Sequence, residues 1–378
     1  MRRFRSRRDI LRLLAAAGGA TALGPALNAC GSLGKSKDKQ ALIISNWPLF
    51  IDTDTPGAPG SVRRFEQATG IDVIYREDLN DPDSFFARIR LPLAMGQPVE
   101  QDILIVPNWL ASRMIRLNWL QPLPWSRIPN ASNLVDKLRN PLWDPKGLYT
   151  LPWMVGITGI AYNIKATGRE LNSVDDLFSR SLRGKVSFLS LWRDTLGLLM
   201  LADGKNIATP TYIDAKPGLE RLARAKADGQ IRSFTGNDYQ KDLVVGNLAA
   251  CVAWAGDVAQ LMGENPDLRF VVPNSGGVLT ADVMVIPQRV NAVSEAAQWM
   301  NYVYEPINAA RIDAAVRFIS PVKGVKEVLA ASADTAPLTR DPLIFPDPPM
   351  LKKLQMMGPF TDKDEIAIER QFSKLVAS

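Results

Sequence analysis

The residue of this sequence best placed to do chemistry is a carboxylate inside an apolar segment. Asp282 lies in Ala281–Ile286, which the sequence predicts as a strand. A carboxylate in such a strand must be paired or must face a solvated cleft, because burying it alone is costly. It either forms a structural ion pair or binds a positively charged guest. Trp47, beside Pro48 after the first predicted strand, and Trp254, at the end of a later one, offer aromatic faces for a cation or for core packing.

Several kinds of catalytic and metal chemistry are excluded by composition. The chain of 378 residues has no histidine, which removes Ser-His-Asp and Cys-His catalysis and most zinc sites. Of its two cysteines, Cys251 lies in an apolar run and is expected to be a buried small hydrophobic residue. There is no Gly-x-Ser-x-Gly motif and no Walker A motif. The sequence therefore predicts neither an enzyme nor a cofactor or metal site, and any transport ATPase must be another chain.

The excess positive charge belongs to the N-terminus. Residues 1–29 hold six of the 45 basic and one of the 39 acidic residues, so the remainder has 39 basic and 38 acidic residues. This near neutrality gives no support for a nucleic-acid-binding surface. A basic start containing Arg7 and Arg8 resembles a twin-arginine motif, and the uncharged 15-residue stretch Leu13–Leu27 follows it. A spanning helix needs about 20 residues, so a signal sequence fits better.

A cysteine stands where the signal sequence should be cleaved. The run Leu27-Asn28-Ala29-Cys30 resembles a bacterial lipobox, with the unusual Asn28 before Ala29. Residues 1–30 are therefore expected to be a signal peptide with Cys30 lipidated, and residues 31–40 a tether. Ordinary secretion, with Cys30 as an incidental thiol, is the alternative. Lipidation would hold a soluble body at the outer face of the cytoplasmic membrane, whether export uses the twin-arginine or the general route.

Strands and helices alternate along the rest of the chain, which is typical of α/β proteins. The predicted strands are Ala41–Asn46, Ile71–Tyr75, Asp102–Val106, Lys185–Leu189, Ala249–Trp254, Phe270–Val272 and Ala281–Ile286, with extended segments in Tyr149–Asn163. The predicted helices are Ser61–Thr69, Asp83–Met95, Val174–Phe178, Asp194–Leu201, Leu219–Asp228, Ser294–Tyr304 and Pro306–Val316, with Thr361 capping a last one. Pro92 is expected to kink or end its helix.

Motifs along nearly the whole mature chain resemble the spermidine/putrescine-binding proteins of polyamine ABC transporters. They are Asn46-Trp47; Phe65-Glu66-x-x-Thr69-Gly70-Ile71-x-Val73-Ile74-Tyr75; Asp144-Pro145-x-x-x-Tyr149-x-x-Pro152-x-x-x-Gly156-x-Thr158-x-Ile160-x-x-Asn163; Gly276-Gly277-x-x-x-x-Asp282-x-x-x-Ile286-Pro287; and Leu354-Gln355. The helix-end and Pro-x-x-x-Gly segments are shared with many solute-binding proteins, so they indicate the fold more than the ligand.

The resemblance implies an α/β, two-lobed periplasmic-binding-protein-like fold. It has two mixed sheets flanked by helices, with the ligand in the cleft between lobes that close by a hinge motion. Residues 41–152 and 283–320 would form lobe 1, and residues 153–282 and 321–378 would form lobe 2. The crossings between lobes would fall near Leu151–Ile157, Ala281–Ile286 and Ile319–Val322.

A polyamine is a methylene chain carrying ammonium groups, so its site should supply carboxylates and aromatic faces. Matching the family's motifs position by position implies this ligand-binding set: Trp47, Phe50, Trp109, Asp194, Trp254, Asp282, Phe318 and Gln355. Asp194 could instead stabilise its helix N-terminus or pair with Arg193. Asp257 is expected to cap the helix after Trp254.

The chain departs from the family pattern at several pocket positions. Leu191 stands where an acid is expected, Thr280 where an aromatic is usual, and Phe50 and Phe318 where the family has tyrosine. The site thus loses one charge and several hydroxyl contacts, which favours a smaller diamine or another cationic or zwitterionic solute.

The resemblance also implies partners and leaves rival functions open. The expected protein is a monomer that delivers a polyamine to an ABC permease and ATPase, held at the membrane through Cys30. The rivals are a binding protein for another small solute, a non-transporting sensor of the same fold and, least favoured, a lipid-anchored hydrolase.

Overall fold

The computed structural model describes residues 41–377, which belong to one compact unit running from Gln40. The leader, Cys30 and the tether lie outside the described residues. Within residues 41–377 there are ten strands, namely β1 (Leu42–Asn46), β2 (Val73–Glu77), β3 (Ile103–Pro107), β4 (Leu151–Asn163), β5 (Val186–Leu189), β6 (Ile231–Thr235), β7 (Ala250–Trp254), β8 (Leu268–Val271), β9 (Gly277–Val285) and β10 (Leu354–Met356).

The α-helices of the described part flank these strands. They are α1 (Ser61–Thr69), α2 (Pro82–Ala94), α3 (Asn108–Arg116), α4 (Ile164–Thr167), α5 (Trp192–Ala202), α6 (Tyr212–Ala227), α7 (Tyr239–Val244), α8 (Ala255–Glu264), α9 (Val293–Val303), α10 (Pro306–Val316), α11 (Val325–Ala330), α12 (Pro348–Lys353) and α13 (Asp362–Ala377). Six short 3₁₀ segments supplement them at Trp125–Arg127, Pro129–Asn133, Asp136–Leu138, Val174–Phe178, Arg180–Leu182 and Ala336–Arg340.

The strands form one hydrogen-bonded sheet with the order β2-β1-β3-β9-β4-β7-β5-β6, while β10 pairs with β9 and β8 with β4. Strands β1, β2 and β3 are parallel, as are β7, β5 and β6. The antiparallel pair β4 and β9 joins these groups. The predicted α/β fold is confirmed, but the two predicted sheets are continuous. The reason is that β4 has 13 residues and β9 has nine, enough to pair with strands of both groups.

Two large hydrophobic clusters cover different parts of this sheet. The first gathers residues from β1, β3, α1–α3, α9 and α10, and the second gathers residues from β5, β7, α5, α6 and α13. Strand β4 contributes Leu151 to the first cluster and Ile160 to the second. Val322 and Leu329 pack in the first cluster, although the sequence places residues after 320 in lobe 2. The division into lobes itself stays a prediction.

Local signals account for the helix ends. Gly70 ends α1 with a φ of 69°, and its N–H donates to the carbonyl of Glu66. Thr361 precedes α13 and accepts a hydrogen bond from the Asp364 N–H at 3.2 Å, as predicted. Pro92 lies in the last turn of α2, which continues two residues beyond it to Ala94, so the proline does not itself end the helix, and the predicted kink stays a prediction. No helix within residues 41–377 combines the length and apolar character needed to cross a bilayer.

Candidate ligand-binding cavity

A cavity of about 100 Å³ lies where the two strand groups meet, at the junction of β3 and β9 with helices α3, α5 and α8. The cavity is lined by seven of the eight site residues that the sequence analysis predicts: Trp47, Phe50, Trp109, Asp194, Trp254, Asp282 and Phe318. These residues come from segments up to 271 positions apart in the chain. The fold therefore brings together an aromatic and acidic set that is scattered in the sequence.

Asp282 projects from β9 into this cavity. In the sheet it is paired with Pro107 of β3 and Met154 of β4, so its neighbours are apolar. Burial raises the pKa of its carboxyl to about 7, while the hydrogen bond from the Trp47 indole Nε1 to Oδ1, at 3.0 Å, lowers it. Within residues 41–377 no lysine or arginine lies within 4.0 Å of Asp282. The alternative of a structural ion pair is therefore not found there.

Asp194 is the second carboxylate of the cavity wall. It lies in the first turn of α5 and accepts a hydrogen bond from the Thr158 hydroxyl of β4. Burial raises the pKa of Asp194 to about 6, while hydrogen bonds from Thr158 and Trp254 and the charge of Arg193 lower it. The rings of Trp47 and Trp254 lie 6.5 Å apart at 58°. Asp282 is thus held by the Trp47 indole and Asp194 by the Thr158 hydroxyl, and the two indoles adjoin.

Phe50 and Phe318 form another part of the wall. Their rings pack edge to face with centroids 4.7 Å apart, and both side chains are buried. Gly256, in the first turn of α8, makes room for Phe318, because a Cβ on Gly256 would lie 2.2 Å from ring atoms Cδ2 and Cε2. The position of this aromatic wall therefore depends on the absence of a side chain at residue 256.

Substituting Gly256→Ala should displace Phe318 and disturb the cavity. We expect a loss of stability of about 1–3 kcal/mol from overpacking, together with roughly tenfold weaker binding of a guest. Thermal unfolding and titration calorimetry measure the two effects. The matched control is Gly263→Ala in the same helix, where the nearest atom to the new Cβ is Arg317 Nη1 at 3.6 Å. Equal affinities for the two variants would contradict the role given to Gly256.

Trp109 lines the cavity, but one of its ring faces is covered by the protein. It lies in the first turn of α3, and the Arg193 guanidinium carbon is 3.8 Å from its ring centroid. The alternative that Asp194 pairs with Arg193 is not found, since Arg193 Nη2 pairs with Glu365 Oε1 at 2.7 Å.

Gln355 is the one expected site residue that the structure does not bring to the cavity. It lies on β10, paired in register with Val278, and its side chain is exposed. Its neighbour Leu354 is buried, and successive residues of a strand point to opposite faces. The alternation of side chains along β10 is the signal in the sequence that could have shown that Gln355 lies outside the cavity.

Among the further residues that line the cavity are Trp143, Arg193 and Asp257, which the sequence analysis assigned to other roles or did not consider. Asp257 does not cap α8, because that helix starts directly from β7 with Trp254 as N-cap and no side-chain cap. Burial raises the pKa of Asp257 to about 6, while its hydrogen bond from the Tyr239 hydroxyl, at 2.8 Å, lowers it. Asp257 therefore adds a third carboxylate to the wall.

The remaining cysteine plays no part in this cavity. Cys251 of β7 is buried, as predicted, and burial raises the pKa of its thiol well above the usual range. Among residues 41–377 there is also no group of three or more Cys, Asp or Glu side chains arranged to hold a metal ion.

The fold and cavity define a class of protein, the solute-binding proteins. The family model described as bacterial extracellular solute-binding protein matches residues 61–346, and the chain belongs to that family. The family consists of binding proteins, so this chain is not an enzyme, in agreement with the sequence analysis.

Curated relatives point to one branch of the family. The chain is 26% identical over 329 residues to the spermidine/putrescine-binding periplasmic protein 1 of Haemophilus influenzae, covering 86% of this chain and 88% of that protein. It is also 26% identical over 336 residues to the putrescine-binding periplasmic protein PotF of Escherichia coli, covering 84% and 86%. The chain thus resembles polyamine-binding periplasmic proteins.

A solved structure supports the fold. The spermidine/putrescine ABC transporter substrate-binding protein PotD of Streptococcus pneumoniae superposes with a TM-score of 0.73 at 24% identity, covering 89% of this chain and 98% of that one. At this identity the likeness establishes the α/β binding-protein fold.

Proposed function

We propose that this protein binds a polyamine, a putrescine- or spermidine-like cation, in the cavity and delivers it to an ABC importer. The observation that carries the proposal is Asp282, a carboxylate facing the cavity with an indole partner and no ion pair among residues 41–377. Such a carboxylate lacks a counter-charge, and an ammonium group supplies both the charge and hydrogen-bond donors. Asp194 and Asp257 provide further negative charge in the same wall.

Aromatic faces support the same guest chemistry. Trp47 and Trp254 flank the carboxylates, and Phe50 and Phe318 extend the wall. An indole face attracts an ammonium by cation–π interaction worth about 0.5–2 kcal/mol, and the rings also cover methylene groups. The names of the curated relatives, which are polyamine-binding proteins, agree with this assignment.

The proposal extends to location and partners. Cys30 would carry lipid and hold the body at the outer face of the cytoplasmic membrane, where a permease and a separate ATPase would receive the guest from a monomer. The support is the lipobox-like run ending at Cys30 and the absence of a Walker A motif in the sequence.

Cys30→Ser should move the protein from the membrane fraction to the soluble fraction. An unchanged membrane fraction would rule out lipid anchoring through Cys30.

Titration calorimetry with a panel of solutes tests the binding function. The panel contains putrescine, spermidine, a monoamine, an amino-acid zwitterion and a dicarboxylate. We expect saturable heat from the amines and none from the dicarboxylate, because the carboxylates of Asp194, Asp257 and Asp282 line the cavity in addition to Glu365, which is paired with Arg193. Heat from the zwitterion alone would favour another solute, and heat from no amine would reject the polyamine proposal.

Binding should also depend on pH. A cationic guest needs ionised carboxylates, and the pKa of Asp282 is raised to about 7 and that of Asp194 to about 6. Affinity should therefore fall as the pH decreases from 8 to 5.5, by up to about tenfold per pH unit between pH 7 and pH 6 and more steeply below pH 6, where both carboxyls become protonated. Calorimetry at four pH values measures this slope. In Asp282→Asn, the pH dependence of the affinity near pH 7 should disappear. A dissociation constant of the wild-type protein that does not change with pH would contradict the proposed charge state.

A further inference from the structure

One wall of the cavity contains a cation that belongs to the protein itself. The Arg193 guanidinium carbon lies 3.8 Å from the ring centroid of Trp109 and 4.0 Å from that of Trp192. Arg193 Nη2 donates to Glu365 Oε1 at 2.7 Å, and the side chain is only 8% exposed. Arg193 is thus enclosed by two indoles and a carboxylate.

The carboxylate of this arrangement is held in place from another element. Glu365 in the first turn of α13 also accepts, through Oε2, a hydrogen bond from Arg113 of α3 at 3.0 Å. Burial raises the pKa of Glu365, but the charges of Arg193 and Arg113 lower it overall, so it stays ionised. Glu365 is therefore a fixed negative charge in the cavity wall.

Two aromatic faces and a carboxylate are the same groups that would bind an ammonium. We propose that Arg193 fills a second cation subsite of the cavity and thereby restricts the guest to a short diamine. This inference rests on the proposed polyamine-binding function. The other carboxylates, Asp282, Asp194 and Asp257, remain for the guest, whereas a third ammonium reaching Trp109 would meet a guanidinium and be repelled.

The wild-type protein gives the first test, through a series of amines of increasing length. Diamines with four and five methylene groups should bind best, and spermidine and diamines of eight or more methylene groups should bind at least about tenfold more weakly. Titration calorimetry at pH 8 measures the series. An affinity that rises steadily with length through spermidine would overturn the inference while leaving polyamine binding intact. No binding of any amine would instead reject the proposed function.

Substituting Arg193→Gln removes the internal cation while a donor to Glu365 remains. We expect the ratio of spermidine affinity to putrescine affinity to rise at least about tenfold. Arg193→Lys keeps a cation in the subsite and should preserve the wild-type ratio. The matched control is Arg116→Gln, since Arg116 also lines the cavity but pairs with the exposed Asp362 at 3.1 Å. An unchanged ratio in folded Arg193→Gln, checked by thermal unfolding, would overturn the inference, and if that variant does not fold the amine series decides.

Discussion

Replacing Asp282 with asparagine should weaken diamine binding by at least about 30-fold while the protein remains folded. Removing one partner of a buried charge pair costs about 2–5 kcal/mol in binding. Asn keeps the size of the side chain and an oxygen that accepts from Trp47 Nε1, which donates to Asp282 at 3.0 Å. Burial raises the pKa of Asp282 to about 7, so the neutral variant should be at least as stable as the wild type. Titration calorimetry and thermal unfolding measure the two effects.

The control for this variant is another buried aspartate. Asp313 of α10 is fully buried and lies outside the cavity, and neither of its carboxylate oxygens has a hydrogen-bond partner within standard distance among residues 41–377. Asp313→Asn makes the same substitution at a buried site outside the cavity and should leave diamine affinity unchanged. Equal losses of affinity in both variants would mean that Asp282 acts through stability and not through contact with the guest.

The same Asp313→Asn substitution should produce the largest gain in stability. Burial raises the pKa of Asp313 to about 8 from its ordinary value of 3.8. The folded protein keeps this carboxyl protonated while the unfolded chain ionises it. Asp313 therefore favours folding below about pH 4, and that contribution is lost as the pH rises toward 8, by at most about 1.4 kcal/mol per pH unit.

Asparagine does not ionise, so the stability advantage of the variant should grow between pH 5 and pH 8. The net gain at pH 8 is expected to be about 2 kcal/mol, since the buried amide leaves donors unpaired. Denaturant unfolding at pH 5, 6.5 and 8 measures the difference. Asp136→Asn is the control, because Asp136 is exposed and its pKa is lowered by Lys323 and Arg139. An advantage of Asp313→Asn that is independent of pH would contradict the protonated state.

Much of the secondary structure follows from local patterns. The apolar run at residues 102–106 became β3, and Gly70 and Thr361 end and begin helices as their conformational preferences require. The continuity of the sheet did not follow, because it depends on how far the long strands β4 and β9 remain paired. Pairing length is set by tertiary packing and has no local signal in the sequence.

A site residue can be predicted from the sequence where its polarity conflicts with that of the residues around it. Asp282 in an apolar strand was such a conflict, and it now faces the cavity. The Arg193 arrangement was not predictable, since Trp109, Trp192 and Glu365 meet only after α3, α5 and α13 have packed. Gln355 is implied only by the family motif, and the alternation of β10 leaves its side chain exposed.

A crystal structure of the protein grown with putrescine tests the proposed function most directly. The account predicts one ammonium within about 3 Å of an Asp282 carboxylate oxygen, with the methylene chain against Trp47 and Trp254. A diamine bound elsewhere, or a cavity in which Asp282 has turned to a lysine or arginine of the protein, would contradict it.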